Sequence, residues 1–111
     1  MGRKERTEML KHIVMFKFKD TAQGRSKAEN LEAARARMLA LKEEIPEIVD
    51  LEVYFGAPGS APDNYDYILV STFRNMEEML RYQKHPSHVA FGQFVKELRE
   101  PDGRVSIDYE V

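Results

Sequence analysis

The chain has 111 residues, of which 42% are hydrophobic and 32% charged, with a formal net charge of -2. That length and balance suit one compact soluble domain, and the near-neutral charge with dispersed basic residues gives no footprint for nucleic acid or an anionic membrane. The lack of cysteine excludes disulfides, thiolate nucleophiles and Cys-ligated metal centres, and fits a cytoplasmic location.

Residues 1–8, MGRKERTE, are polar and read as a flexible N-terminal extension, with the folded domain spanning 9–111. LKHIVMFKFK (10–19) alternates His12, Val14, Phe16 and Phe18 against Ile13, Met15, Lys17 and Lys19, which predicts a strand. DTAQGRS follows as a loop. From about Ser26 to Ile45 apolar residues recur at Leu31, Ala34, Met38, Leu41 and Ile45, a helical stripe that Pro46 ends.

Residues 48–56 alternate again, with Val49, Leu51, Val53 and Phe55 on one face. APGSAPDN (57–64) is a flexible connection, and YDYILVSTF (65–73) is a third strand with apolar residues on both faces. Asn75 followed by Glu78 predicts a helix start, with Met76, Met79 and Leu80 buried. Pro86 breaks this helix and opens another running to about Leu98, with Val89, Phe91, Phe94, Val95 and Leu98 as its buried residues. EPDG (100–103) reads as a turn and RVSIDYEV (104–111) as the last strand.

The order β-α-β-β-α-β predicts an α+β, ferredoxin-like fold: a four-stranded antiparallel sheet with helices on one face. Ile13, Met15, Ile68 and Val70 then leave an apolar outer face, which predicts a homodimer joined through the sheets.

RYQKHPSH (81–88) concentrates the polar chemistry, with two of the three histidines. His88 falls in the first turn of a helix, where the dipole favours a neutral imidazole able to accept a proton. The Tyr82 phenol is suited to hydrogen-bond a carbonyl and stabilise an enolate. His12 supplies a third polar group from the strand floor. Each has a plain structural reading as well. His85 before proline is a cap, His88 and His12 are buried histidines bonded to the fold, and Tyr82 is an aromatic at the core edge. A three-histidine zinc site is disfavoured because His85 lies at the helix start, so neither metal nor cofactor is expected. Asp63, Asp66 and Asp108 read as scattered, solvated carboxylates.

KHIVMFKFK, RYQKHPSHVAFG and the terminal IDYEV together resemble the stress-responsive α/β-barrel family, the dimeric α/β-barrel or Dabb domain, over residues 9–111. The resemblance implies a ferredoxin-like protomer and a sheet-to-sheet dimer. The family includes plant stress proteins without an assigned reaction. It also includes a plant polyketide cyclase that closes a linear polyketide by an aldol-type condensation. The resemblance aligns that cyclase's working tyrosine and histidine with Tyr82 and His88, and its first-strand histidine with His12. The pocket wall and the 57–64 loop differ, so substrate identity does not carry over.

Two functions follow as expectations. The first is a small-molecule pocket between sheet and helices, lined by His12, Phe16, Phe18, Leu69, Phe91 and Phe94, with His88 and Tyr82 catalytic. Its ligand would be a small apolar or aromatic carbonyl compound, and a cofactor-free monooxygenase is a variant by fold analogy alone. The second is a non-enzymatic stress or assembly protein. A cavity of about 300 Å³ or more at Tyr82, His88 and His12 would favour the first.

Overall fold

The computed structural model describes residues 8–111; of the expected extension, residues 1–7 lie outside the described residues. The main sheet contains β1 (Leu10–Phe18), β4 (Asp50–Phe55), β5 (Tyr67–Phe73) and β6 (Arg99–Glu110). Their spatial order is β4-β5-β1-β6, with every neighbouring pair antiparallel. The helices are α1 (Lys27–Glu44), α2 (Met76–Lys84) and α3 (Pro86–Lys96). The second helical segment of the ferredoxin-like pattern is thus split in two at His85-Pro86.

The expected loop after β1 holds a small hairpin, β2 (Thr21–Ala22) with β3 (Arg25–Ser26). Its two-residue turn has positive φ at both Gln23 and Gly24 (55° and 73°), the geometry that matches strand twist in tight hairpins. Asn30, fully buried, ties this hairpin to α1 by donating to the Ala22 carbonyl (3.1 Å) and accepting from Arg25 Nε (2.9 Å). Ser26 and Glu29 close a reciprocal capping box at the start of α1. Ile45 ends the helix because Pro46 follows it.

Alternation decides the sheet's two faces. Leu10, His12, Val14, Phe16 and Phe18 of β1 are buried beneath the helices, beside Leu51 and Val53 of β4 and Leu69, Ser71 and Phe73 of β5. Ala34, Met38 and Leu41 of α1 close this layer. On the outer face Ile13 lies between Val70 and Ile107, and Met15 between Ile68 and Val105. Ile107 there is 61% exposed.

Two expected stripes hold only in part. Met79 is buried as expected, but Met76 and Leu80 are exposed and Tyr82 faces the sheet in their place. Met79 and Tyr82, three apart, lie on the same face of the helix. Val89 is likewise exposed, while His88, Phe91 and Val95 share the inward stripe of α3.

The last strand begins at Arg99 rather than at residue 104. Phe16 pairs with Arg104 and Phe18 pairs with Arg99, so one residue of β1 opposes four of β6. The predicted EPDG turn is therefore a bulge inside a strand. Gly103 makes it feasible, since a Cβ there would lie 2.8 Å from the Lys17 carbonyl oxygen and 2.9 Å from its Cβ.

Candidate functional site

A cavity of about 190 Å³ opens between β1, α2, α3 and β6. Its volume falls short of the roughly 300 Å³ expected of a drug-sized pocket. It is comparable with cavities of about 150 Å³ that take up benzene. Apolar side chains such as Val14, Phe16, Leu69, Phe91 and Val95 form its body, and His12, Tyr82 and His88 its polar part.

The junction at Pro86 positions the last two. His85 has extended backbone geometry, and its Nδ1 accepts from the Ser87 N–H at 3.1 Å, which caps α3. The capping role expected of His85 is the one it has. The reversal brings the Tyr82 and His88 rings to 4.4 Å between centroids. Tyr82 also packs on Phe73 at 4.8 Å and lies edge-on to His12 at 6.3 Å.

The two histidines are held in defined tautomers. His88 Nδ1 lies 3.1 Å from the Gln83 carbonyl oxygen, which can only accept. Nδ1 therefore carries the proton, and Nε2 keeps its lone pair. Burial holds the His88 pKa below the ordinary 6.5, helped by the nearby His12, Arg104 and His85, while the Gln83 bond works the other way. The direction is that expected from the helix terminus; the main cause is burial. His12 Nδ1 lies 2.5 Å from Asp108 Oδ1 across the β1–β6 pairing, so Nδ1 donates to the carboxylate and Nε2 is the remaining nitrogen.

Tyr82 is 0% exposed, and among the described residues its hydroxyl has no hydrogen-bond partner. Tyr67, buried almost as fully, donates its hydroxyl to the Ala34 carbonyl at 3.2 Å. Burial raises both phenols above the ordinary tyrosine value, so Tyr82 remains a neutral donor at physiological pH.

Of the residues expected to form the site, His88, Tyr82, His12, Phe16, Leu69 and Phe91 line the cavity. Phe18 and Phe94 are not in its wall. Phe18 is 2% exposed and stacks on Tyr67 in the core, rings 5.8 Å apart. Phe94 is turned toward α1, under the Arg37 guanidinium at 4.2 Å.

Two carboxylates read as solvated are engaged. Asp108 holds His12, and Asp66 accepts from the Phe18 N–H at 2.8 Å and faces Lys27 at 3.4 Å. Sequence reasoning also missed Gln83, Lys96, Arg99 and Arg104, which line the cavity. Arg104, Ser106 and Asp108 share one face of β6. Only the strand register placed that face beside His12. Among the described residues no group of three or more His, Asp or Glu side chains is arranged to hold a metal ion.

A ferredoxin-like sheet under a broken helical layer, with a small cavity ending in two histidines and a free phenol, defines an α+β protein with a candidate ligand site. The chain belongs to the stress-responsive A/B barrel domain family, Dabb, whose sequence profile matches residues 10–111. It is similar to olivetolic acid cyclase of Cannabis sativa, 30% identical over 94 residues, which cover 82% of this chain and 87% of the cyclase. A dimeric protein of unknown function and ferredoxin-like fold from Bacteroides fragilis is 33% identical, with a TM-score of 0.79 and coverage of 93% of this chain and 96% of that one. A dimeric ferredoxin-like protein from Thermobifida fusca, 23% identical, has a TM-score of 0.77 and coverage of 96% and 93% respectively, and speaks for the fold alone.

Proposed function

We propose that this protein is a homodimer, joined through the outer sheet faces, whose cavity binds a small apolar or aromatic carbonyl compound. In it His88 and Tyr82 carry out a cofactor-independent proton transfer of the kind that opens an aldol-type cyclisation. The observation that carries this reading is the Tyr82 hydroxyl, buried and without a partner among the described residues, packed beside a neutral His88 in the wall of the cavity.

The step balances without a cofactor. His88 Nε2 takes a proton from the carbon next to a carbonyl, and that C–H electron pair moves into an enolate. Tyr82 donates a hydrogen bond to the enolate oxygen as its charge develops. The enolate carbon bonds to a second carbonyl carbon of the same molecule. The resulting alkoxide recovers the proton from His88. His12, held by Asp108, is a further polar contact at the sheet floor. The dimer draws support from the dimeric Bacteroides fragilis relative and from the exposed apolar row of Ile107, Val105 and Tyr109. No helix among the described residues is long and apolar enough to cross a membrane, and a cytoplasmic location is part of this reading.

The small cavity favours one second reading, a binding or stress-assembly protein without turnover. Proton abstraction from a simple diketone separates the two. Benzoylacetone in deuterated buffer should exchange its α-protons faster with wild type than with buffer, with His88→Gln abolishing the excess and Tyr82→Phe cutting it by about 10²-fold. Exchange at the buffer rate would leave the non-enzymatic reading.

A further inference from the structure

The mouth of the cavity carries a charge pattern that the proton transfer above does not use. Lys96, Arg99 and Arg104 line it, and no Asp or Glu does. This happens in a chain with 19 acidic residues against 17 basic ones. Elsewhere four cations, Lys27, Arg35, Arg74 and Arg81, lie within 4.0 Å of a carboxylate, and the other described lysines and arginines are dispersed rather than gathered on one cavity. Among the described residues none of the three at the mouth forms such a pair.

The β6 bulge is what gathers them. Arg99 opposes Phe18 and Arg104 opposes Phe16, so both project to the helix side of the sheet at consecutive same-face positions. Positions two apart on a strand are about 7 Å apart. Without the extruded residues 100–103, two side chains five apart in sequence would point to opposite faces.

Structural duties account for part of the cluster. Lys96 lies in the last turn of α3, where a cation suits the helix dipole. One nitrogen of Arg99, Nη1, donates to the Glu100 and Pro101 carbonyls at 3.1 and 3.0 Å, which leaves Nε and Nη2 free of bonds among the described residues. Arg104 has only a 3.5 Å contact from Nη1 to Ser106 Oγ. Its charge acts on both Tyr82 and His88.

Resting on the reading of this cavity as a carbonyl site, we infer that its ligand is an anion: a small carbonyl compound bearing a carboxylate, gripped by Arg99 and Arg104 with Lys96 at the rim. The planar guanidinium fork matches a carboxylate in two parallel hydrogen bonds. The apolar walls take the body of the ligand, and its carbonyl reaches Tyr82. The two ends of the ligand are then fixed at once, which orients the carbon facing His88.

Calorimetric titration with 4-acetylbenzoate and its neutral counterpart 4-acetylbenzamide tests this. Wild type should bind the acid at least about tenfold more tightly than the amide. Arg104→Gln should shrink that ratio, and the double variant Arg99→Gln/Arg104→Gln should bring it near one by weakening the acid far more than the amide. Raising ionic strength well above 0.1 M should weaken only the acid. Arg104 is exposed, so the single variant keeps its thermal midpoint and stands if Arg99→Gln disturbs the bulge. Equal affinities in wild type, or a preference that survives Arg104→Gln undiminished, would overturn the anion assignment alone. Failure of both compounds to bind would overturn it together with the carbonyl-site reading.

Discussion

Tyr82→Phe should inactivate the protein without weakening its fold. The substitution removes one oxygen from a ring that is 0% exposed, wedged between Phe73 and His88, and leaves those ring contacts in place. A buried donor without a partner costs about 1–3 kcal/mol. Phenylalanine abolishes that cost, so the variant should be at least as stable as wild type and up to that much more. Tyr67→Phe is the internal control, because its hydroxyl donates to Ala34 on α1. Deleting that donor removes a buried hydrogen bond, although the Ala34 carbonyl keeps its place in the helical ladder, and should destabilise by about 0.5–1.5 kcal/mol. Urea unfolding at one fixed protein concentration, with both variants and wild type, reads the difference; concentration is held because dimerisation contributes to apparent stability. For a domain of this size 1 kcal/mol moves the thermal midpoint by about 4 °C. If Tyr82→Phe loses as much stability as Tyr67→Phe, the Tyr82 hydroxyl is bonded to the fold in the native state. The argument for a free donor aimed at a ligand would then fail.

The remaining predictions use other parts of the structure. His88 has its pKa lowered in the fold from 6.5. As pH falls through that value the unfolded chain takes up the proton first, so stability is retained above about pH 6.5 and declines below it; His88→Gln should flatten this part of the pH–stability curve measured by urea unfolding. Ile107→Lys places a charge in the outer apolar face, where Ile107 is 61% exposed, and should convert dimer to monomer in sedimentation velocity, while an unchanged dimer would remove this face from the interface. Gly103→Ala drives a methyl against Lys17 and should cost about 1–3 kcal/mol in thermal unfolding. Ser26→Ala removes one half of the α1 capping box and should cost about 0.5–2 kcal/mol in the same measurement.

Local rules made much of the frame legible. The alternation of β1 assigned His12, Val14, Phe16 and Phe18 to one face, and those residues are buried together. Pro46 and Pro86 set helix boundaries because proline lacks an amide hydrogen and restricts its neighbours. The β-α-β-β-α-β order then led to the ferredoxin-like sheet, whose outer apolar face was already visible in Ile13, Met15, Ile68 and Val70.

Tertiary structure decided what periodicity does not encode. Asp108 meets His12 only through the pairing register of β6 with β1, across 96 residues. The bulge at 100–103 looked like a turn, because a local signal of proline and glycine is the same for both. Whether the chain reversed there or continued as a strand depended on the backbone of Lys17 beside Gly103. Tyr82 rather than Leu80 turned inward because α2 packs on the sheet through a single pair of turns. Its hydroxyl, unpartnered among the described residues, belongs to a ring that meets His88 because α3 folds back at Pro86. Faces and boundaries are properties of neighbours in sequence; the polar end of the cavity and its cationic mouth are properties of segments that meet only once the sheet has closed.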